Sequence, residues 1–180
     1  TQDTRFVFES DNLEFSKNAV LKTYCGDGLF KRIDNLKRFD FSTQEAQINA
    51  NIIAPIKSAP QTKFILFFPP YSAIQYAEFA RAGVLPFLLA FRMHVLDAVR
   101  NLDHVTLHDF QSVGQIVENL DHYRDPFHYG GGAMHGMSDA WKNGEHILTL
   151  DNLDARQQTI TDLAQQYSTI WNEVEGGCKN

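Results

Sequence analysis

Asp125 and His128 stand three residues apart in the stretch NLDHYRDPFHYGGGAMHG, residues 119–136. A carboxylate three positions before a histidine on one loop can accept the imidazole Nδ1–H. That fixes the tautomer and leaves Nε2 facing outward as a general base. Asp125-Pro126 is also a turn-forming pair, so the same spacing suits a plain turn with His128 at the surface. On the residues alone both readings stand.

The stretch offers two further chemistries. His122, Asp125, His128 and His135 run H-x2-D-x2-H-x6-H, side chains of the kind that hold zinc or a similar ion. No H-E-x-x-H or C-x-x-C element accompanies them, and His135 falls on the helix face opposite Met134 and Met137, toward solvent. Gly130, Gly131 and Gly132 open a helix whose first N–H groups suit an anion. The run lacks the Lys-Ser/Thr of a phosphate loop and the spacing of a dinucleotide fingerprint. It reads as a flexible rim or a helix start.

Nucleophiles are scarce. Ser72 is spaced from Gln75 as a helix cap, and Ser112 and Ser138 have no glycine elbow around them. Cys25, in YCGDG, has no base placed near it. His94, His104, His108 and His146 are scattered and read as structural or exposed. No motif calls for a cofactor or a resident metal.

The elements that must position these residues follow from the apolar pattern. Ser10 is placed to cap a first helix carrying Leu13, Ala19 and Val20, ending near CGDG. A second helix starts after Ser42, with Glu45 in the capping-box position. Its buried stripe is Ile48, Ile52 and Ile56, and Pro55 and Pro60 end it. KFILFFPP reads as a strand buried on both faces, which favours a parallel sheet covered by helices. Ser72 and Gln75 open a long helical region to about Arg100, kinked or split at Gly83 and Pro86. HVTLHDF is a second strand. Ala133, Met134, Met137, Ala140 and Trp141 share a face of the next helix, which Gly144 stops. A final helix carries Ile160, Leu163, Ala164, Tyr167, Ile170, Trp171 and Val174. The order helix, strand, helix, strand, helix predicts a layered α/β domain.

Composition narrows the class without choosing a substrate. With 180 residues, 43% hydrophobic and 21% charged, the chain has the length and make-up of one globular α/β domain spanning 1–180. Residues 1–60 form a helical lead-in and 61–180 a strand–helix–strand–helix region. The net charge of −6, without a block of like charges, argues against a nucleic-acid partner. The longest apolar run, Val84 to Phe91, is interrupted by Pro86 and too short to span a membrane. Cys25 and Cys178 suit one disulfide or two separate thiols, and two cysteines decide no compartment.

In combination, the strand ending in Pro69-Pro70-Tyr71, the strand ending in His108-Asp109-Phe110 and the NLDHYRDPFHY block resemble the C-terminal half of SGNH (GDSL-like) hydrolases. More narrowly, residues 60 to 174 look like bacterial envelope members of that superfamily. The resemblance implies a partial three-layer, flavodoxin-like α/β/α architecture with a short, mainly parallel sheet and many helices. It further implies that Asp125 and His128 are two members of a Ser-His-Asp triad acting on acyl esters, including acetyl esters of envelope carbohydrate. The family's nucleophilic serine lies in an N-terminal Gly-Asp-Ser block, and its oxyanion-hole Gly and Asn come from two further blocks. Here Gly26-Asp27-Gly28 carries glycine where serine should stand, and no strand precedes it. The resemblance therefore implies an upstream half of the same domain outside this chain, in agreement with its start at TQDT. It suggests a bacterial envelope or periplasm, while the sequence itself names no compartment. Two alternatives stay open: a non-catalytic binding or assembly domain of the same fold, and a histidine-rich metal-binding protein.

Overall fold

Five apolar residues in a row, FILFF, form β1 (Phe64–Phe68) in the computed structural model, which describes residues 13–26 and 41–169. β1 pairs in parallel with β2 (Val105–Asp109), in register from Phe64↔Val105 to Phe68↔Asp109. Side chains alternate across the two strands. Leu66, Phe68 and Leu107 therefore share one face, which packs on Val95, Leu96 and Val99 of α5 (Leu85–Val99). On the opposite face, Phe67 meets Trp141 of α7 (Gly131–Asn143) at 5.1 Å between ring centroids. The protein is a mostly helical, mixed α/β domain with a short two-stranded parallel sheet among the described residues.

The expectation that β1 is buried on both faces holds for one face. Ile65 is 57% exposed and Phe67 37%. β1 is hydrogen-bonded to β2 along one edge, and its other edge meets no strand among the described residues. The outer edge of β2, by contrast, is joined by residues 146–148: Asp109 N–H donates to His146 O, and Leu148 N–H to Leu107 O.

The crossover between the strands is split, as Gly83 and Pro86 predict. α4 (Ala73–Arg81) and α5 meet at a bend of 112°. Gly83 adopts φ +71 there, a left-handed conformation that glycine reaches without steric cost. Pro86 sits in the first turn of α5, where its missing N–H is no loss. No single helix among the described residues is long and apolar enough to cross a membrane.

Several sequence expectations need correction. Ser10 lies outside the described residues. α1 (Lys17–Gly26) is capped instead by Ser16, whose Oγ accepts the Ala19 N–H at 3.0 Å, and Leu13 precedes the helix and is exposed. The second helix, α2 (Phe41–Ile48), already contains Ser42, which therefore cannot stand before it as a cap. Pro55 does not end that helix. A π turn (Asn49–Ile53) leads into α3 (Ala54–Ser58), which carries Pro55 near its start. The wider turn shifts the buried stripe, so Ile53 and Ile56 are buried and Ile52 is exposed.

A short helix, α6 (Gly114–Val117), follows β2; in α7 the buried residues are Ala133, Met137 and Ala140, while Met134 is 42% exposed. Gly144 ends this helix as predicted, at φ +68. The last helix, α8 (Leu150–Gln166), buries Ile160, Leu163 and Ala164 against α4, chiefly Ala73, Tyr76 and Phe79, and Leu153 in the cluster of Phe68, Leu96 and Leu107. It starts with a capping box between Thr149 and Asn152. Ile170, Trp171, Val174 and Cys178 lie outside the described residues, as do Asp27 and Gly28.

Candidate functional site

The backbone pairs Tyr123 with Tyr129 in an antiparallel bridge, and Arg124 N–H donates to His128 O at 3.1 Å. These bonds close a small loop around Asp125, Pro126 and Phe127. Within it Asp125 Oδ1 accepts the N–H groups of Phe127 and His128, both at 2.9 Å. This is the turn that an Asp before Pro favours. The same carboxylate meets His128 Nδ1 at 2.9 Å through Oδ1 and 2.7 Å through Oδ2. A carboxylate only accepts, so Nδ1 carries a proton, and in the neutral imidazole the lone pair is then on Nε2.

The turn and the dyad are thus one structure, and the two sequence readings of D-x-x-H describe the same atoms. Asp125 is mostly covered, with a side-chain exposure of 19%, whereas His128 is 61% exposed. His128 Nε2 makes no hydrogen bond among the described residues. Burial works to raise the Asp125 carboxyl, but the hydrogen bonds from Phe127, the His128 ring and the His128 N–H outweigh it and hold the group below its ordinary value. Arg124 Nε adds a positive charge 3.5 Å from Oδ2.

Three elements carry the loop. Ser72, which follows β1 and Pro69-Pro70, donates both its N–H (3.1 Å) and its hydroxyl (2.9 Å) to Pro126 O. This corrects the capping-box expectation. Ser72 stands at the N-cap position of α4, yet its side chain does not cap, and Gln75 is fully buried with its amide unbonded to any described residue. Phe127 packs edge-on against Tyr71 and Phe79, at 5.8 and 6.2 Å. α1 docks from the other side, where Ser16 N–H donates to Tyr123 O and Lys17 N–H to Asp121. Burial raises the phenols of Tyr71, Tyr123 and Tyr129 above their ordinary value, so these three rings stay uncharged. A cleft of about 530 Å³ opens beside Asp125, lined by Leu13, Glu14, Ala19, Lys22, Thr23 and Arg124.

The other candidates of the 119–136 stretch separate. Among the described residues no three His, Cys, Asp or Glu side chains gather as a metal site. His122 Nε2 pairs with the Asn119 amide, and His135 is exposed on α7. Of the three glycines, Gly130 and Gly132 serve close packing, while Gly131 has open space at its Cβ position. A Cβ on Gly130 would stand 2.6 Å from the Phe15 ring, and one on Gly132 3.0 Å from His122. Gly130 is the N-cap of α7, the helix start the sequence suggested.

Of the hydroxyls weighed as nucleophiles, Ser72 is fully buried and committed to Pro126. Ser112 donates to Asp109 at 2.6 Å and accepts from Arg156. The scattered histidines are structural. His94 bonds Glu45 and Asn49 of the lead-in, His104 bonds Ile56 O, and buried His108 bonds Glu145 O. His146 adopts φ +58.

Sequence reasoning missed a buried ionic network at the carboxyl end of β2. Arg92 grips Asp109 with two bonds, and both are fully buried. Gln111 accepts from Arg92 and donates its N–H to Asp109, while Arg156 approaches Asp109 at 3.7 Å. A signal was present: Arg92 is the only Lys or Arg in the apolar helix LPFLLAFRMHVLDAV, and an arginine there needs a buried anion.

Comparisons with protein-family models, with curated proteins and with solved structures give no match for this chain.

Proposed function

We propose that this domain supplies the Asp-His part of an SGNH-type serine esterase or acyltransferase, on a flavodoxin-like α/β/α architecture. The observation that carries the reading is the Asp125–His128 pair, joined at 2.7 Å with Nε2 facing out. His128 acts as general base and Asp125 holds its tautomer. The nucleophilic serine comes from outside this chain. Its hydroxyl proton passes to His128 Nε2 as the oxygen attacks the acyl carbon. The same proton then leaves with the departing alcohol, and an acyl-serine remains. Water, or an acceptor hydroxyl in transfer, repeats the sequence and releases the acyl group. The substrate class is an acyl ester, with acetylated envelope carbohydrate as the instance suggested by the resemblance. The unpaired edge of β1 among the described residues fits a sheet with further strands.

Hydrolysis of an activated acetyl ester tests this reading, comparing the chain with a version extended upstream and each with its His128→Ala variant. The extended protein is expected to hydrolyse the ester, and to lose roughly 10²- to 10⁴-fold in rate without the base. Equal hydrolysis without His128 sinks the triad reading.

A second reading is a non-catalytic binding or assembly domain of the same fold. It is favoured by one observation: among the described residues no hydroxyl or thiol reaches His128 Nε2. An extended protein without esterase activity supports it.

A further inference from the structure

We propose that Ser72 is a positioning residue for the Asp125–His128 pair, acting through the peptide that joins Pro126 to Phe127. This rests on the reading of that pair as the working acid–base unit. The carbonyl end of the peptide accepts both donors of Ser72, the N–H at 3.1 Å and the hydroxyl at 2.9 Å. Its N–H end donates to Asp125 Oδ1 at 2.9 Å. The oxygen that accepts this bond also meets His128 Nδ1.

A continuous path therefore runs from Ser72 through one peptide plane to the carboxylate and on to the imidazole. Hydrogen bonds in such a chain polarise one another: two donors on the carbonyl make the N–H of the same amide a stronger donor. The geometry is also a clamp. A carbonyl held by two donors from one residue cannot rotate about the chain axis without breaking both. Ser72 itself is fixed by its place between Pro70 and the first turn of α4, and is fully buried. The arrangement gives a physical role to a hydroxyl that neither caps its helix nor reaches solvent.

The charged and titratable groups facing Asp125 are His128 and Arg124 on its own loop, with Glu14 and Lys22 across the cleft. α4 contributes Ser72 alone by direct hydrogen bond to this loop. A change seen on altering Ser72 is then not a change in charge at the site.

The test uses the isotope-labelled chain and two NMR signals: the Asp125 carboxyl carbon across a pH titration, and the ring nitrogens of His128. In the natural sequence the proton is expected on His128 Nδ1. If it is found on Nε2, the functional reading fails, whatever Ser72 does. For Ser72→Ala, the Asp125 midpoint is expected to rise by about half a pH unit and the Nδ1 signal to move toward that of a freely exchanging imidazole. Ser72→Cys keeps the shape with a weaker donor and should fall between the two. It also decides the question should the alanine variant not fold. Ser112→Ala is the control, since it removes a hydroxyl bonded to Asp109, away from the loop. Unchanged Asp125 and His128 signals in the folded Ser72 variants overturn the proposal, and so does an equal change in Ser112→Ala.

Discussion

Arg92 and Asp109 face each other through two hydrogen bonds, 2.7 Å from one guanidinium nitrogen and 2.8 Å from the other, with neither side chain reaching solvent. One comes from the middle of α5 and the other ends β2, so the pair joins the crossover helix to the carboxyl end of the sheet. The Arg92 guanidinium also lies over the Phe68 ring, 5.1 Å from its centroid. Removing one partner leaves a buried charge uncompensated, which costs about 3–5 kcal/mol. Arg92→Met is expected to lower the urea unfolding free energy by that amount. The double variant Arg92→Met/Asp109→Leu should recover a large part of it. A single variant within 1 kcal/mol of the natural sequence would show that the pair does not hold the two elements together.

Acid weakens the fold through two carboxyls. Burial acts to raise the Asp109 group, but Arg92, then Ser112 and the Gln111 N–H, overcome it and hold it below its ordinary value, as the loop bonds do for Asp125. A group depressed in the folded state adds stability that is complete above its unfolded value, near 3.9, and is lost as pH falls through the folded value. Urea unfolding at stepped pH should find these two contributions constant from pH 7 to about 5 and declining below about 4. Asp125→Asn should show a shallower decline than the natural sequence. An identical acid slope would mean that Asp125 is not depressed by its turn.

Asp125 and His128 differ in what they do for the fold. His128 is mostly exposed, so His128→Ala should change stability by no more than about 0.5 kcal/mol. Asp125 closes the turn through two N–H groups, and Asp125→Ala should cost roughly 1–3 kcal/mol. Thermal unfolding of both variants checks the difference. If His128→Ala were the more damaging, the imidazole would be a structural group and not a displayed base.

Two glycines of one helical region should respond in opposite directions. Gly144 ends α7 at φ +68, where a Cβ would meet only the Ile147 Cδ1 at 4.0 Å, so Gly144→Ala carries a purely conformational cost of roughly 1–2 kcal/mol. Gly136 lies inside α7 with open space at its Cβ position, and Gly136→Ala should stabilise by about 0.5–1 kcal/mol. Melting temperatures that move in the same direction for both would contradict the helix end at Gly144.

Local signals in this sequence carried local structure well. The break at Gly83, the stop at Gly144 and the D-x-x-H turn each rest on contacts within a few residues, and the strand FILFF shows in its own apolar run although its partner strand is distant. What the pattern could not reveal were interactions across the chain. Ser72 looks like a cap because Gln75 stands three positions on; its true partner, Pro126, is 54 positions away. Ile52 fits a four-residue repeat, but the π turn at Asn49–Ile53 moves burial to Ile53. Alternation could not show that Ile65 and Phe67 stay open, because that depends on what lies beside β1. The Arg92–Asp109 pair joins α5 to β2, and only the odd arginine hinted at it.

The pairing of β1 with β2 also sets an order of events for the newly made chain. Phe64 meets Val105 only after the whole α4–α5 crossover has closed, and such non-local pairing forms slowly. Until then FILFF is an uncharged, apolar segment of high strand propensity, the kind that joins its copies in other chains. The crossover helices thus determine how long this segment stays available for aggregation. Faster docking of these helices is therefore expected to lower aggregation through this segment.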